Sequence, residues 1–517
     1  MVCLSKQVLG LLSGLVVLAA CAGENAGREH YKYGAATWQG VNVAAPAYRH
    51  AIAKSRRLIT EATRHNGLPG VQVAVAIDGK VCWSENFGYA DLRQGRVVQR
   101  NTLFRMASVS KMYTAAAIAR LVQANKLDLD TPVVRYLPGL PGHYAGITTR
   151  HLVSHQAGIR HYYGADTPEK TGHYADVNSA LDVFIGAPLL FPPGTDCAYS
   201  TYGWVLLSAV VECVSGKPFL RYMQEDVWAP LGLVNTFAEI PAGRKKDLST
   251  FYLKDQPQGN WYEAPPEDLS FKWAGGGFTS NANDLVRFGV GLLDGKFLSG
   301  ETLGLVCAPQ PTARGDTTGF GLGVTIYTTA HNRRMVGHGG FMPTARSYLL
   351  LFPDDNLVIA FTANTATANF ADENLVEMAA LFLNEKANAH YYAFDRTLYN
   401  RWKGVWRVEL ENEEGSFERA YLSFYEEQNE LRGTILFENS ALRHLEVIRL
   451  QPDSIGLLAP LPAYTAVMEL TLNGSELTGK SVCNKPQTTL LKKQLRQEDG
   501  LGRMLAPKRI RNGEKIH

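Results

Sequence analysis

The chain has 517 residues, of which 45% are hydrophobic and 20% are charged, and its net charge is +3. These values are typical of a soluble globular protein of two or three domains, and they exclude pervasive disorder, a collagen-like repeat and a polytopic membrane protein. The excess of lysine and arginine, 52 against 49 acidic residues, is too small to indicate a nucleic acid partner. None of the seven cysteines forms a C-x-x-C pair, so we expect mostly buried free thiols rather than a zinc or redox motif.

The amino terminus has the pattern of a targeting segment. Lys6 precedes an apolar run over residues 8–20, which ends in Leu18-Ala19-Ala20-Cys21. The run is short for a membrane span, and its end resembles a bacterial lipobox with Cys21 as the lipidated residue. The alternative is an ordinary signal peptide that is cleaved near the same small residues. Ala22 in place of aspartate resembles outer-membrane lipoproteins, so we expect a lipid-anchored protein of the cell envelope that faces the periplasm.

The next 340 or so residues predict one sheet built from both ends of a single domain. Residues 1–21 form the predicted signal segment and 22–47 a polar tether, and the domain extends over 48–389. Asp78-Gly79 between two apolar runs is a strong hairpin signal. The predicted strands are 70–77, 81–89, 321–327, 346–352 and 357–362, and the predicted helices are 48–66, 108–124, 205–214 and 373–383.

The pattern changes after about residue 390. Seven short strand candidates between residues 406 and 481 recur roughly every ten residues, with Asn, Gly and Asp between them. This spacing is typical of a small β-barrel or sandwich, which we place at 400–495. Residues 496–517 are predicted to be a flexible tail, and their lysines and arginines a solvated end.

The first chemical motif is Ser108-Val109-Ser110-Lys111, where the Ala-rich helix is predicted to begin. Positions i and i+3 share a helix face, so the Lys111 amine can reach the Ser108 hydroxyl. A desolvated lysine can act as the base that a serine nucleophile needs at neutral pH. The alternative is that Ser108 is a helix N-cap and Lys111 a surface lysine.

A second and a third motif follow along the chain. Tyr199-Ser200-Thr201 ends a Pro- and Gly-rich loop, and a phenol near an ammonium can shuttle protons; the alternative is a packed tyrosine. His338-Gly339-Gly340-Phe341 has glycines that allow close backbone approach, and a strand edge there can supply an N–H to an oxyanion hole. Taken alone, this third motif is only a turn.

Together and in this order, the motifs resemble those of the serine β-lactamase and penicillin-binding-protein superfamily, in its class C-related branch. Supporting segments are 104–111, 127–130, 151–162 and 274–278. The resemblance covers about residues 50–385 and implies an α+β fold with an antiparallel sheet flanked by helices. The C-terminal part more weakly resembles the small, lipocalin-like β-barrel that some family members carry.

The resemblance also implies roles for individual residues. Ser108 would be the acyl-accepting nucleophile, Lys111 and Tyr199 would share the base and acid work, and His338 would stand for the cation of the third motif. The backbone N–H groups of Ser108 and Phe341 would form the oxyanion hole, with Gly340 beside them. No cofactor and no metal are implied.

Two positions depart from the family pattern. Thr201 stands where asparagine is usual, and Gly339 where threonine or serine is usual, so two polar substrate contacts are missing. We therefore expect a serine hydrolase that acts on peptide substrates, cell-wall peptides among them, or on small esters, and that hydrolyses β-lactams poorly.

Other functions remain as alternatives. A β-lactamase proper and a catalytically weak binding or scaffold lipoprotein share the same fold. An α/β-hydrolase is disfavoured because the chain has no G-x-S-x-G elbow. His151 and His155 have the i,i+4 spacing of metal ligands, but no H-E-x-x-H pattern surrounds them, and we expect His155 and His161 to be hydrogen-bonded loop histidines.

Overall fold

A computed structural model describes residues 39–491 of the chain. Within this range the segments left out of the description are 67, 163–171, 241–245, 256–259, 316–317, 330–332, 367–371, 388–395, 412–416, 428–429, 438–442, 451–452, 461–464, 474–475 and 484–487. The predicted signal segment with Cys21, most of the tether and the tail lie outside the described residues.

The elements are numbered in chain order. The strands are β1 Gln39–Ala44, β2 Gly70–Ile77, β3 Lys80–Asp91, β4 Arg96–Val97, β5 Phe104–Arg105, β6 Phe237–Ala238, β7 Tyr252–Lys254, β8 Trp261–Glu263, β9 Phe278–Ser280, β10 Thr325–Thr328, β11 Arg334–Met342, β12 Ala345–Phe352, β13 Leu357–Ala363, β14 Gly404–Glu411, β15 Phe417–Glu427, β16 Glu430–Phe437, β17 Arg443–Leu450, β18 Ser454–Pro460, β19 Thr465–Asn473, β20 Glu476–Cys483 and β21 Thr488–Leu491. The α-helices are α1 Arg49–Asn66, α2 Ser110–Gln123, α3 Thr149–Val153, α4 Val177–Leu181, α5 Tyr202–Ser215, α6 Phe219–Tyr222, α7 Trp273–Gly276, α8 Ala282–Leu293, α9 Gly300–Val306, α10 Asp372–Ala387 and α11 Arg396–Trp402.

The first unit of the chain contains an antiparallel sheet in the order β1-β3-β2-β13-β12-β11-β10, with β4 beside β3. Its centre joins β2, from the start of the domain, to β13, from its end, which confirms the predicted assembly from both ends. Strand β2 is buried along its whole length, and this explains its nearly continuous apolar sequence. Helix α8 packs on β2 and β13, and a Cβ on Gly289 would lie 2.5 Å from Val358, so glycine permits this close packing.

The hairpin prediction is confirmed in detail. Asp78 and Gly79 have φ values of 50° and 75° and connect β2 to β3. Positive φ at both central residues is the geometry of the turn that an Asp-Gly pair favours. The local sequence is therefore sufficient to define this connection.

Two predictions about the ends of this sheet need correction. Gln39–Ala44, at the end of the predicted tether, is strand β1 and pairs with β3; its Gly- and Ala-rich surroundings obscured the short alternation around Val41 and Val43. Residues 321–327 were predicted as one strand, but β10 begins only at Thr325. Gly323 has a φ of 74°, and a Cβ on this glycine would lie only 2.4 Å from the Trp204 indole. The residues before Thr325 therefore form a turn against Trp204.

The second unit contains an eight-stranded antiparallel sheet with β14 to β21 in sequence order. It confirms the seven predicted strands and adds β21. Buried side chains on its strands include Trp406, Leu422 and Phe424, and the ring of Trp402 lies 6.1 Å from that of Phe424. The described residues contain no pairing between β14 and β21, so closure into a barrel is not confirmed.

Four described cysteines are free thiols, of which Cys82 and Cys307 are buried, Cys197 is half-buried and Cys213 is exposed. In the described part of the chain no single helix is long and apolar enough to cross a membrane; one pair of helices bent by 74°, Tyr202–Ser215 with Phe219–Trp228, passes the test by length and composition. The first helix of that pair is buried in the hydrophobic core.

Candidate active site

Ser108 lies in a tight turn between β5 and α2. The turn Ala107–Val109 is a 3-10 helix that leads directly into α2, and Ala107 has a φ of 44°. A non-glycine residue with positive φ costs about 1–3 kcal/mol and persists only where the surroundings enforce it. Next to this residue, the Ser347 hydroxyl donates to the Met106 carbonyl at 2.5 Å. Ser108 itself is half-buried. Its hydroxyl contacts other side chains and does not cap the helix.

Lys111 is completely buried beneath Ser108. Its Nζ lies 3.1 Å from Ser108 Oγ, 3.1 Å from Thr201 Oγ1 and 2.6 Å from the Gly275 carbonyl. Burial lowers the pKa of Lys111 well below its ordinary value, and the nearby charge of Lys272 lowers this pKa further. Lys111 is therefore no surface lysine, and its amine loses its proton more readily than that of an exposed lysine.

The Tyr199 phenol reaches the same hydroxyl from the opposite direction. It donates to Ser108 Oγ at 2.7 Å, and the Lys111 Nζ lies 4.9 Å from the centre of its ring. Burial raises the pKa of Tyr199 above its ordinary value, so the phenol keeps its proton at neutral pH. The structure thus brings three sequence-predicted residues together on one oxygen atom.

Two loop histidines hold the Tyr199 segment in place. The Ser200 N–H donates to His155 Nδ1 at 3.1 Å, and the Thr201 N–H donates to His161 Nδ1 at 3.1 Å. Both rings also pack against Tyr199, with centroid distances of 4.4 Å and 5.6 Å. The expectation of hydrogen-bonded loop histidines is confirmed, and the partner they position is the second motif.

His338 lies inside strand β11 rather than in an isolated turn. Burial and the charge of Lys111 lower the pKa of His338 to about 3. The ring is therefore neutral, so Nδ1 carries the proton that it donates to the Gly339 carbonyl at 2.6 Å. The resemblance gives His338 the place of a cation, and burial disfavours a charge on this ring. Its Nε2 is buried and has no hydrogen-bond partner among the described residues.

The glycines of the third motif let β11 approach the serine turn. A Cβ on Gly340 would lie 2.2 Å from both the Met106 carbonyl oxygen and Ser347 Oγ, and a Cβ on Gly339 would lie 2.8 Å from the Tyr348 ring. Strand β10 pairs with β11 only as far as Gly337, so in the described residues the β11 edge from His338 onward has no strand beside it. Phe341 on this edge is 58% exposed.

Comparison with known proteins agrees with this geometry. A family model described as beta-lactamase matches residues 55–382. The chain belongs to the beta-lactamase family. It is 30% identical over 416 residues to the human serine beta-lactamase-like protein LACTB, mitochondrial, with 62% of this chain and 76% of that protein covered. It is 25% identical over 361 residues to penicillin-binding protein 4* of Bacillus subtilis (strain 168), with 65% and 79% covered.

Solved structures share the fold of this beta-lactamase-family chain at lower identity. The D-amino acid amidase of Ochrobactrum anthropi SV3 aligns with a TM-score of 0.56 at 23% identity, covering 66% of this chain and 99% of that one. The octameric penicillin-binding protein homologue of Pyrococcus abyssi aligns with a TM-score of 0.55 at 19% identity, covering 85% and 100%. Both confirm the expected antiparallel sheet with helices.

Thr201 lies beneath the site, in contact with Lys111. It is 1% exposed, its hydroxyl contacts Lys111, and a Cβ on Gly275 would lie 2.6 Å from its methyl group. The side chain therefore packs beneath the site and sets the environment of Lys111. The Gly275 carbonyl, the second acceptor of Lys111, lies in the segment 274–278 that supports the resemblance. Its contact with Lys111 was not predictable, because a backbone oxygen has no residue preference.

Arg105 is a further residue of the site that the motifs do not identify. Its guanidinium donates to Glu239 at 2.7 Å and 2.8 Å, to Thr344 at 3.0 Å, and to Glu267. It thereby joins β5, which precedes the serine turn, to the loop after β11. A bidentate, buried arginine is well suited to fix two segments relative to each other. In the sequence, the only indication of this role was that Arg105 lies two residues before Ala107, close to the first motif.

Proposed function

We propose that this member of the beta-lactamase family is a hydrolase that forms an acyl-enzyme on Ser108 Oγ. The observation that carries the proposal is the pair of contacts to that oxygen, from the Lys111 amine and from the Tyr199 phenol. A serine needs a nearby base to become a nucleophile at neutral pH. A buried amine of lowered pKa is such a base, and intact contacts of this kind argue against a scaffold without activity.

The contacts around Lys111 are compatible with a neutral amine. Its two N–H groups can donate to Thr201 Oγ1 and the Gly275 carbonyl, which leaves the lone pair for the Ser108 hydroxyl proton. The Tyr199 phenol donates to Ser108 Oγ from the other side. All three groups are then satisfied before a substrate binds.

The reaction follows from this arrangement. Lys111 takes the Ser108 proton as Oγ forms a bond to the substrate carbonyl carbon. The bond to the leaving group then breaks, and the proton passes from Lys111 through the Tyr199 phenol to the leaving nitrogen or oxygen. In the second half-reaction a water molecule attacks the acyl carbon and gives a proton to Lys111. The bond between the acyl carbon and Ser108 Oγ then breaks, and Lys111 returns the proton to Oγ.

The developing oxyanion needs two backbone donors, and we assign the N–H groups of Ser108 and Phe341. Support comes from the open edge of β11 and from the close approach of Gly340 to the turn that holds Ser108. Donors that are fixed in place before the reaction stabilise the charge without reorganisation, and one such donor contributes about 100- to 1,000-fold in rate. His338 Nε2, a buried acceptor near Tyr199, can receive a proton donor of the substrate or of the attacking water.

We propose peptides, D-amino-acid or cell-wall peptides among them, or small esters as substrates rather than β-lactams. The Thr201 hydroxyl contacts Lys111, and Gly339 carries no hydroxyl. Two of the usual contacts to a β-lactam are therefore missing. The names of two relatives, a serine beta-lactamase-like protein and a penicillin-binding protein, are compatible with this range.

The decisive experiment is covalent labelling with a fluorophosphonate probe, with the modified residue found by peptide mass spectrometry. We expect the label on Ser108, and we expect Ser108→Ala to lose both labelling and hydrolysis of a p-nitrophenyl ester while its circular dichroism stays native. Near wild-type turnover in folded Ser108→Ala, or a label on another serine, would contradict the assignment.

We also propose that the protein is tethered through lipid on Cys21 and acts in the cell envelope, at the outer membrane on the periplasmic side. The support is the Leu18-Ala19-Ala20-Cys21 sequence after an apolar run. A lipid anchor would keep the hydrolase near cell-wall peptides.

A further inference from the structure

A buried cluster of charged groups lies just before the serine turn. Arg105, three residues before Ser108, is 3% exposed, and the side chains of Glu239 and Glu267 that contact it are 10% and 6% exposed. Arg105 forms two hydrogen bonds to Glu239, at 2.7 Å and 2.8 Å, and a further contact to Glu267. Two carboxylates thus face one guanidinium, and charges that are removed from water in this way need close partners.

Thr344 connects this cluster to the strand that carries Phe341. Its hydroxyl accepts from the Arg105 guanidinium at 3.0 Å and donates to Glu267 at 3.2 Å, and the residue is 2% exposed. Arg105, Glu267 and Thr344 therefore form a closed triangle of hydrogen bonds, the Arg105 clamp. Thr344 lies in the two-residue turn between β11 and β12, three residues after Phe341. The clamp links the segment before one assigned oxyanion donor to the segment after the other.

Apolar side chains pack the same segments together. Ala107, Leu269, Met342 and Ala345 form a small cluster of buried residues. Ala107 belongs to the serine turn, Leu269 follows Glu267 by two residues, and Met342 and Ala345 flank the turn between β11 and β12. Apolar contacts are not directional. They hold the segments together, while the hydrogen bonds of the clamp fix their orientation.

The clamp is the second point at which the β11–β12 hairpin is attached to the serine turn. The first is the hydrogen bond from the Ser347 hydroxyl to the Met106 carbonyl. One attachment point leaves the hairpin free to rotate about it, whereas two points also fix the angle of the β11 edge. In the described part of the chain that edge has no strand beside it from His338 onward. Its position therefore depends on the two attachments and on β12.

Arg105 is itself held from two further directions. Its guanidinium lies 4.2 Å from the centre of the Phe251 ring. Glu239, its bidentate partner, is anchored through its backbone N–H, which donates to the Gly277 carbonyl at 2.9 Å. A planar guanidinium that stacks on a ring and forms a bidentate pair has little freedom to rotate. A lysine would keep the charge but lose this geometry.

We propose that Arg105 is a positioning residue for the oxyanion hole: through Glu267 and Thr344 it fixes the Phe341 N–H relative to the Ser108 N–H. This proposal rests on the proposed acyl transfer at Ser108 and on the two donors assigned to it. Donors that are fixed before the reaction stabilise the developing charge without reorganisation. Arg105 acts through the backbone and takes no part in proton transfer.

Thr344→Val and Thr344→Ser test the proposal without removing a buried charge. Valine has the shape of threonine but no hydroxyl, so it opens the triangle. We expect Thr344→Val to lower kcat/KM for p-nitrophenyl acetate by about tenfold or more, because small displacements of reacting groups are costly. Phenylboronic acid forms a tetrahedral adduct with a serine oxygen and mimics the transition state, so its Ki should rise by a similar factor. Thr344→Ser keeps the hydroxyl and should stay within about threefold of the wild type in both measurements.

Thr250→Val is the matched control. Thr250 is also a buried threonine, 8% exposed, whose hydroxyl donates to a carboxylate, that of Asp91, at 3.0 Å. This variant should lower the urea midpoint of unfolding much as Thr344→Val does, and it should leave kcat/KM and the boronate Ki unchanged. Arg105→Lys, provided that its circular dichroism is native, should lose at least as much activity as Thr344→Val. In each folded variant the acid limb of the pH–rate profile should stay at the wild-type pH.

The outcomes separate this proposal from the one on which it rests. Wild-type kcat/KM in folded Thr344→Val or Arg105→Lys overturns the positioning role and leaves acyl transfer intact. Equal losses in Thr344→Val and Thr250→Val, or a loss of rate without a rise in the boronate Ki, overturn it as well. A shifted acid limb in Thr344→Val would assign the effect to Lys111 instead of the oxyanion hole. A wild-type protein that neither hydrolyses the ester nor takes the fluorophosphonate label contradicts acyl transfer itself, and the positioning role with it.

Discussion

Gly340→Ala tests whether the close approach of β11 to the serine turn positions the reaction. The added Cβ would lie 2.2 Å from the Met106 carbonyl oxygen and from Ser347 Oγ, about 1 Å less than a normal contact. Ser347 donates to that same carbonyl at 2.5 Å, so the methyl group pushes on both partners of one hydrogen bond. Either the strand or the turn must move away.

The size of the effect follows from that displacement. Overpacking by one methyl group in a tight site costs about 1–3 kcal/mol of folding free energy. A shift of about 1 Å between a nucleophile and its oxyanion donors can cost on the order of 100-fold in rate. We therefore expect a folded protein whose stability falls modestly and whose acylation falls much more.

The assay pairs the rate of fluorophosphonate labelling with urea unfolding. Gly304→Ala is the matched control: a Cβ there meets nothing within 4 Å, and Gly304 lies in helix α9, where alanine is favoured by up to about 1 kcal/mol. This control should label at the wild-type rate. If Gly340→Ala also labels at the wild-type rate, the third motif does not position the site and the assignment of the Phe341 N–H is wrong.

Three other predictions concern the base, the substrate and the anchor. With a neutral ester, kcat/KM should fall as pH drops through the Lys111 pKa, since the protonated amine cannot accept the Ser108 proton. The midpoint of this fall should lie well below the ordinary lysine value of 10.5. A midpoint close to 10.5 would rule out a desolvated base. The unmodified protein should hydrolyse a short-chain p-nitrophenyl ester with a kcat/KM at least about tenfold higher than that for nitrocefin, because each lost polar contact costs roughly 1–3 kcal/mol. Thr201→Asn should reduce this difference in kcat/KM, and faster nitrocefin turnover in the unmodified protein would refute the substrate proposal. Cys21→Ser should abolish lipid labelling and release the protein from the membrane fraction. Unchanged processing and unchanged membrane association would show that the amino-terminal segment is an ordinary signal peptide or an anchor of another kind.

Local sequence determined several parts of the fold. The Asp78-Gly79 hairpin was predictable because two residues that favour positive φ stand between apolar runs, and both properties are read within ten residues or so. The Ser108-x-x-Lys111 spacing likewise predicted that the amine reaches the hydroxyl, since helix geometry fixes the faces of neighbouring residues. The order of the three motifs then carried the resemblance to the family.

The sequence predicted the secondary structure of glycine-rich stretches less well. Residues 321–327 looked like a strand, yet Gly323 serves a turn against Trp204. Residues 338–340 looked like a turn, yet they lie within β11. A glycine permits both conformations, and only the neighbouring atoms in the folded protein decide which one it adopts.

The chemical state of the site was decided by tertiary structure alone. The lowered pKa of Lys111 follows from its burial. Its acceptors, Thr201 and Gly275, come from positions 90 and 164 residues away in the chain. His338 loses its charge through burial close to Lys111. Burial and electrostatic interactions depend on distance in space, which the sequence pattern does not contain. The sequence therefore identified the candidate residues, and only the folded protein shows in which direction their pKa values shift.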